Sequence, residues 1–406
     1  MCSTVRCATV QLLHFKQACL SAERPTQVSL DASETMSTVH PDWLAFRTAH
    51  LAGGCRAING LDPTVEFYPP LVGGGKVRVE LREYRALYAQ LKQLDVAPIG
   101  FDFVSNSLEA RALVPPNWRP YLPWTGTNVW PCNDEADRWA NISHAGWKAK
   151  DPLWEIARRV SHQLRVCAWR LRQVSESYRE TLHARTAKNG FQLDQRFADG
   201  FTWLSYLSLQ SFLVDACVLR DYLAEFYASY ANPQPHFAKQ NITSMSGLKK
   251  RVLDKLSQTN KVTQSLKDAT GHGGWLRMLG AYRDLVVHCV PLARAETTLP
   301  AYCTELPVGK TARLPAVSLP LPADPSAIAK SRASGTHVAH LEYELAHFAE
   351  ASRADSPKTD GLIYAYMCLD KLTRLAHDLG EYSPVPPEIP HVTQADMVGE
   401  LKIRRM

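Results

Sequence analysis

The chain of 406 residues is long enough for two or three domains and for a large buried core. Hydrophobic residues make up 45% of it and charged residues 21%, the balance of an ordinary globular protein. Its ten cysteines show no paired spacing, which excludes a disulfide or zinc scaffold and predicts a reduced protein of the cytoplasm.

The sequence predicts neither a secretory signal peptide nor a membrane anchor. An apolar run at residues 10–15 is short and interrupted by polar groups. The strongest candidate span, residues 201–219, contains Gln210 and Asp215, which favours a buried core helix. We therefore expect no membrane partner.

The net charge of +6 is unevenly distributed. Between Lys148 and Lys188 there are ten Lys and Arg residues against four Asp and Glu residues. A local excess of this kind predicts an anionic partner more strongly than the overall charge does.

In chain order, residues 1–38 lack periodicity and are predicted to be a disordered extension. Apolar residues at helical spacing predict helices over residues 41–59 and 83–94. Between them, residues 65–68 and 73–81 are predicted as two strands around a glycine-rich turn.

Residues 100–147 are rich in Pro, Trp and Asn and are predicted to be an irregular segment packed on the body of the protein. The longest helix is predicted to follow, because Asp151 suits an N-cap and Pro152 suits a first turn. Apolar residues then recur every three or four positions, the seam of an antiparallel bundle: Leu153, Ala157, Val160, Leu164, Cys167, Leu171, Val174, Tyr178 and Leu182.

Four arginines on this helix repeat every seven residues and predict a basic stripe roughly 30 Å long. They are Arg158, Arg165, Arg172 and Arg179. The stripe is either a solvated helix face or a track for an RNA backbone.

A second long helix, over residues 196–230, is apolar nearly all round and is predicted to be the buried centre of the bundle. Asp215 lies in its middle, and a buried carboxylate requires a partner, which we expect to be an arginine or a histidine. A short basic helix over residues 246–258 and a helix from 275 to about 291 are predicted next.

Residues 295–334 are predicted to be a proline-rich crossing with one strand at 316–321, followed by helices over 336–352 and 359–380. The predicted fold is mainly α: an antiparallel helical bundle with a small mixed α/β N-terminal region and a C-terminal helix pair. Its segments are the extension 1–38, the mixed region 39–147, the bundle 148–294, the crossing 295–334, the helix pair 335–382 and the tail 383–406.

Several familiar sites are not supported by the sequence. Gly309-Lys310-Thr311 lacks the glycine that a phosphate-binding loop requires five residues earlier. His337, His340, Glu344 and His347 share one helical face, but a straight helix spreads them over about 15 Å, so a polar helix flank is favoured over a metal site. Neither a nucleophile elbow nor a paired-carboxylate motif is present.

The candidate site is the run Arg283-Asp284-Leu285-Val286-Val287-His288. A guanidinium can bind a phosphate and an imidazole can move a proton, so the pair suggests phosphodiester chemistry. On a straight helix Arg283 and His288 are 140° apart, whereas Asp284 and His288 share a face. An ordinary amphipathic helix with incidental polar residues is the alternative.

With two long helices and a short one before it, this motif helix resembles the HEPN superfamily of helical-bundle proteins. The similarity covers roughly residues 150–292 and depends on the run from Trp275 to Cys289. It implies a metal-independent endoribonuclease without a cofactor, of the kind that acts as a toxin or phage-defence effector, whose site forms where two motif helices meet in a homodimer.

The resemblance implies that Arg283 polarises the scissile phosphate and that His288 acts as general acid or base. Asp284 stands where the family usually has another polar residue, so it either orients the imidazole or forms an ion pair with Arg283 that weakens phosphate binding. Asp215 and Tyr282 complete the candidate set as supporting residues. A non-catalytic helical module that binds protein or nucleic acid is the alternative function.

Overall fold

The computed structural model describes most of the chain and places the motif helix in a mixed α/β fold. The described residues are 45–60, 62–72, 74–104, 114–124, 129–187, 190–234, 241–257, 259–289, 292, 299–334 and 359–390. Of these, 54% are helical and 17% lie in strands, in antiparallel sheets of six and three strands. The prediction of a mainly α helical bundle is therefore wrong.

The described strands form two antiparallel sheets. They are β1 (Phe46–Leu51), β2 (Arg56–Asn59), β3 (Thr64–Tyr68), β4 (Arg78–Glu80), β5 (Pro98–Val104), β6 (Asn117–Pro120), β7 (Arg196–Phe197), β8 (Ala301–Val308) and β9 (Ala312–Ser318). The larger sheet has the order β4-β3-β2-β1-β5-β6 and the smaller one β7-β8-β9. Val65 opposes Val79, so the predicted pairing around the glycine-rich turn is confirmed.

The described α-helices pack on these sheets and on one another. They are α1 (Ala86–Gln93), α2 (Pro131–Lys148), α3 (Leu153–Thr186), α4 (Gly200–Phe226), α5 (Met245–Arg251), α6 (Lys261–Thr270), α7 (Trp275–Asp284), α8 (Pro325–Ala333) and α9 (Gly361–Gly380). Both α4 and α7 continue into π-helical turns, at Tyr227–Ala231 and Leu285–Cys289.

The seam predicted on the long helix α3 is confirmed. All nine of its apolar members are buried, from Leu153 to Leu182. This face packs between α2 and α4, while the carboxylate of Asp151 accepts a hydrogen bond from the backbone N–H of Leu153 at the start of the helix. Burial of such an apolar stripe is the main source of stability for a helix in a folded domain.

The helix predicted over residues 41–59 is wrong, because its described part forms β1 and β2. Buried polar residues on β1 interrupt the alternation of apolar and polar residues by which a strand is recognised in a sequence. Arg47 donates to Asn59 on one side of β1, and His50 contacts Ser175 of α3 on the other. A strand covered on both faces does not show a simple alternation of polar and apolar residues.

The irregular segment predicted over residues 100–147 is also wrong in its described parts. It contains the end of β5, all of β6 and nearly all of α2. Pro131 stands at the first turn of α2, where proline is tolerated. Trp139 of this helix is fully buried against Phe226, with ring centroids 4.8 Å apart.

The proline-rich crossing predicted over residues 295–334 contains the β8–β9 hairpin and α8. The predicted strand at 316–321 overlaps only the end of β9. Pro307 and Pro315 conceal the hairpin in the sequence, but Pro315 lies on the edge strand β9. Pro307 lies on β8 beyond Ala301 and Tyr302, the two residues that pair with β7. A proline there removes no hydrogen bond from the described pairing of β8 with β7.

The helices predicted over residues 196–230, 336–352 and 359–380 have different outcomes. The prediction over 359–380 is confirmed by α9, whereas the one over 336–352 lies outside the described residues. Helix α4 begins at Gly200, because Arg196 belongs to β7 and Asp199 caps the helix by accepting from the N–H of Thr202.

The α4 helix and its π turn, Gly200–Ala231, form a segment long and apolar enough to cross a membrane, and half of its most apolar stretch is buried inside the fold. The other side of α4 is exposed: Leu204 and Leu207 keep 41% and 40% of their surface. The prediction of a helix buried nearly all round is therefore wrong.

The turn between β1 and β2 joins the larger sheet to α3 and to the smaller sheet. Gly54 has φ +85°, and a Cβ at this position would lie 2.5 Å from the carbonyl oxygen of Tyr178. Next to it, a Cβ on Gly53 would lie 2.6 Å from the Cβ of Ala316 on β9. This close approach of backbones leaves space only for glycine.

We expect Gly54→Ala to lower the free energy of unfolding by about 2–5 kcal/mol, because left-handed strain and overpacking act together. Urea unfolding followed by circular dichroism measures this loss. Gly74→Ala is the matched control, since Gly74 also has positive φ but a Cβ there would meet no described atom within 4 Å. Its expected loss is about 1–2 kcal/mol. Equal losses for the two variants would contradict the packing argument.

Candidate functional site

Arg283 and His288 are in direct contact at the end of α7. Arg283 Nη1 lies 3.0 Å from His288 Nε2 and 2.9 Å from Asp284 Oδ1. A guanidinium can only donate, so His288 Nε2 is the acceptor in this contact. The imidazole is exposed, and the side chains of Arg283 and Asp284 keep 37% and 56% of their surface.

The π-helical turn Leu285–Cys289 explains this contact. In a straight α-helix a separation of five residues leaves the two side chains 140° apart, but a π turn hydrogen-bonds residue i to residue i+5 and brings such residues to one side. Asp284, which a straight helix would place beside His288, has its described contact with Arg283 instead. Of the two roles predicted for Asp284, the ion pair with Arg283 is the one present.

Arg283 and Asp284 line a cavity of about 700 Å³ with a cationic wall. Its charged and imidazole-bearing lining residues are Arg220, Asp221, Lys249, His272, Arg277, Arg283 and Asp284. Four Lys or Arg side chains line it with two carboxylates, and Lys249 also pairs with Asp254 at 2.6 Å. Of these described cations, the one that remains for an anion is Arg277, and the cavity therefore favours an anion. His288 reaches it through its contact with Arg283.

Gly280 allows one of these cations to lie against α7. A Cβ on Gly280 would be 2.6 Å from Nη1 of Arg220, so the guanidinium occupies the space that a side chain would fill. Arg220 is held by Asp221 at 3.0 Å, and Asp221 also accepts from the N–H of Met245 at the start of α5. Arg277 is exposed and makes no ion pair within the described part of the chain.

The two residues predicted to support the site lie elsewhere. Asp215 forms an ion pair with Arg170 at 2.7 Å and accepts a hydrogen bond from Gln163, which agrees with the predicted arginine partner. Tyr282 is buried, and its hydroxyl donates to the carbonyl of Pro322 at 2.5 Å. Burial raises the pKa of Tyr282 well above its usual value, so the phenol is a structural donor.

Of the four predicted stripe arginines, Arg158, Arg165 and Arg179 are exposed on α3, whereas Arg172 is half-buried and faces the larger sheet. Arg165 pairs with Asp137 at 2.6 Å, and Arg179 pairs with Glu176 at 3.3 Å. Arg172 makes three hydrogen bonds to Asp102 on β5. Arg158 is exposed and makes no ion pair to any residue that the structure describes.

Sequence reasoning missed a buried cluster between the larger sheet and α3. His50 Nε2 lies 3.1 Å from Asp102 and 3.5 Å from Glu176. Arg56 lies 3.5 Å from Glu176, and Arg172 lies 2.7 Å from Asp102. The members come from β1, β2, β5 and α3, so no local spacing in the sequence could have revealed them.

Ligand atoms of His50, Asp102 and Glu176 lie within 4.8 Å of one another, close enough for one metal ion. The two guanidiniums already neutralise both carboxylates, so a divalent cation would enter a site without net negative charge. The arrangement fits a buried ion-pair network that joins the sheet to α3 better than it fits a metal centre.

Burial and charge shift the pKa values of this network. Burial and the positive charge of nearby Arg56 lower the pKa of His50 to about 4. Burial by itself raises the pKa of Asp102, but hydrogen bonds from His50 and Arg172 outweigh it and set this pKa at about 2. Burial also lowers the pKa of Arg56 to about 10. At neutral pH the cluster therefore contains a neutral imidazole between ionised pairs.

No protein-family model, curated protein or solved structure matches this chain.

We expect the stability of the protein to fall as the pH decreases from about 6.5 to 4, because unfolded His50 binds a proton in that range and folded His50 does not. Between pH 7.5 and 4.5 this loss is on the order of 2 kcal/mol. The pKa values of Asp102 and Glu176 are lowered in the folded protein, so these carboxylates add to the loss only toward the acidic end of this range, where the unfolded chain begins to protonate them.

Urea unfolding at both pH values tests this for the wild type and for His50→Gln, which removes the titrating group. His183→Gln, at an exposed position on α3, is the matched control. The expected result is a smaller acid-induced loss in His50→Gln than in either of the others. An identical loss in all three proteins would show that His50 is not the group responsible.

Proposed function

We propose that this protein cleaves RNA phosphodiesters without a metal ion, using Arg283 and His288. The observation that supports this most directly is the 3.0 Å contact between the guanidinium and an exposed imidazole at the edge of a cationic cavity. An incidental arginine and histidine on a helix surface would not require either the contact or the cavity. The activity is the one that the resemblance to HEPN proteins implies.

Each group has a defined task in this reaction. Arg283 holds a non-bridging oxygen of the scissile phosphate and stabilises the charge that develops there. An imidazole accepts the proton of the ribose 2′-hydroxyl, whose oxygen then bonds to phosphorus while the bond to the 5′-oxygen breaks. The departing 5′-oxygen takes up a proton from an acid. The products are a 2′,3′-cyclic phosphate and a 5′-hydroxyl, and no redox partner is required.

The remaining cations of the cavity suit the flanking phosphates of an RNA strand. Arg277 is exposed on the same helix as Arg283, and Arg220 is held across Gly280. Lysine and arginine groups at such positions bind phosphates by releasing counterions, so the affinity falls as salt is added. A cavity of about 700 Å³ is large enough for a nucleotide and its phosphate.

A homodimer would supply the second imidazole of the acid–base pair. Each chain contributes one His288, whereas the reaction needs one base and one acid. Val287, next to His288, keeps 46% of its surface, an apolar group at the position where a second motif helix would pack. The composite site of two copies therefore remains part of the proposal.

The ion pair between Arg283 and Asp284 supports a second candidate function. A guanidinium held at 2.9 Å by a carboxylate is partly neutralised and binds a phosphate less strongly. If the pair persists when RNA is present, the cavity would bind RNA or an acidic protein without cleaving it.

We expect purified protein to cleave a labelled single-stranded RNA in the presence of EDTA. His288→Ala should lower the rate at least about 100-fold, because the base or acid is lost. Arg283→Ala should lower it about 100- to 1,000-fold, because the phosphate loses its electrostatic partner. Gel analysis of the products, with a 2′-deoxy substitution in the RNA to block attack, measures both effects.

His183→Ala and Arg82→Ala, at exposed positions outside this cavity, serve as matched controls. The dimeric part of the proposal is measured by diluting the protein, which should lower the rate per chain. RNA binding without cleavage by the wild type would favour the second candidate. Cleavage that persists in both site variants would reject Arg283 and His288 as the catalytic pair.

We expect Asp284→Asn to increase RNA cleavage by about two- to fivefold, the value of one exposed ion pair. The amide keeps the size of the side chain but releases Arg283 for the phosphate. The measurement is the initial cleavage rate over a series of RNA concentrations. A decrease in rate would instead indicate that Asp284 assists the imidazole during the reaction.

A further inference from the structure

A second surface combines aromatic and basic side chains of the kind that bind nucleic acids. It lies away from α7, in a cleft between the end of α2 and the start of α3. The cleft has a volume of about 800 Å³. Two indole rings and several basic or imidazole-bearing side chains line it: His144, Trp147, Lys150, Trp154 and Arg158. We call this the tryptophan cleft.

Both tryptophans of the cleft present large apolar faces to solvent. Trp147 keeps 64% of its surface and Trp154 keeps 37%. The ring of His144 stacks on that of Trp147, with centroids 6.4 Å apart and an interplanar angle of 27°. Exposed indoles are unusual on a surface that serves only solubility, and together they indicate a binding site.

The backbone fixes the shape of the tryptophan cleft. A Cβ on Gly146 would lie 3.0 Å from the backbone nitrogen of Trp154, so α2 and α3 meet closely there. Ser143 Oγ donates to the carbonyl oxygen of Trp154 at 2.7 Å, and Lys150 reverses the chain with φ +56°. The indoles are therefore held on rigid helices, which lowers the entropy cost of binding.

The cleft continues into the outer face of α3. At helical spacing this face carries exposed aromatic and basic residues: Trp154, Arg158, His162, Arg165 and Trp169. The fifteen steps from Trp154 to Trp169 cover about 22 Å. Trp169 keeps 40% of its surface, and the guanidinium of Arg172 lies 5.0 Å from the centre of its ring.

The carboxylates near the cleft are engaged by other groups. Glu155 lies 3.8 Å from Arg159, and Asp151 accepts from the N–H of Leu153 and the hydroxyl of Tyr230. Arg158 and Lys150 make no ion pair with any described residue. The two cations beside the indoles are thus available to an anionic ligand.

We infer that the tryptophan cleft and the outer face of α3 bind single-stranded RNA. Unpaired bases stack on the indole faces, and phosphates contact Arg158 and Lys150. A duplex hides its base faces and could use only the cations. An acidic peptide also complements the cations, but it offers no planar groups at regular spacing to cover successive indoles.

This binding surface is separate from the Arg283–His288 site and does not depend on cleavage. No residue lines both cavities. If both functions exist, the cleft retains a strand while the second site acts on it. If cleavage is absent, the cleft still binds single-stranded RNA.

The test is fluorescence anisotropy with a labelled 12-nucleotide oligouridylate, using the full chain in the His288→Ala background so that the probe is not consumed. Trp147→Leu and Trp154→Leu should each weaken binding about 5- to 100-fold, the effect of losing one stacked base. Arg158→Gln should weaken it less and should lower the dependence of the affinity on salt by about one phosphate contact.

Two controls match these changes. Trp203→Leu removes a tryptophan with 36% exposure on α4, and Lys310→Gln removes an exposed cation in the β8–β9 turn. Both should leave the affinity within about twofold. Circular dichroism confirms that each variant is folded.

Three results would overturn the inference: unchanged affinity in both cleft tryptophan variants, binding of duplex RNA as tightly as the single strand, or displacement of the probe by polyglutamate at equal charge concentration. The last of these would identify an acidic peptide as the ligand. None of these outcomes depends on whether the wild type cleaves RNA, so the two proposals can fail separately.

Discussion

The three hydrogen bonds from Arg172 to Asp102 join the larger sheet to the long helix α3, and the surrounding network depends on them. Both partners are largely shielded from water, so each would be costly to bury without the other. His50 and Arg56 complete the compensation by contacting Asp102 and Glu176. Removing one member of such a network leaves a buried charge without its partner, whereas a surface pair could simply be solvated.

This network fixes how α3 is rotated about its own axis. Each side of the helix therefore meets different surroundings. One side carries the apolar seam, from Leu153 to Leu182, between α2 and α4. A second side turns Arg172 toward the sheet. The remaining side must then face solvent, and it carries Trp154, Arg158 and Trp169. The binding surface that we infer is thus a consequence of how the helix is held.

Helical periodicity in the sequence predicted α3, α4 and α9 as helices, because apolar residues recur at helical spacing in each of them. It missed α2, which lies in a segment rich in Pro, Trp and Asn. It could not predict the larger sheet, since β1 is covered on both faces and carries the buried polar residues Arg47 and His50. Residue type and spacing selected Arg283 and His288 as candidates. The cavity beside them escaped prediction because Arg220 and Lys249 come from other helices and approach only in the folded chain.

The contact between Arg283 and His288 depends on a π-helical turn, and such a turn is less favourable than a continued α-helix. The turn alone does not indicate function, because α4 ends in another one, at Tyr227–Ala231, whose Tyr227 and Ala228 are buried. The turn after α7 differs in what it presents. It places an exposed imidazole against a guanidinium that lines a cationic cavity. Core packing does not account for a polar contact at the surface, whereas the binding of a phosphate and the transfer of a proton require both groups together.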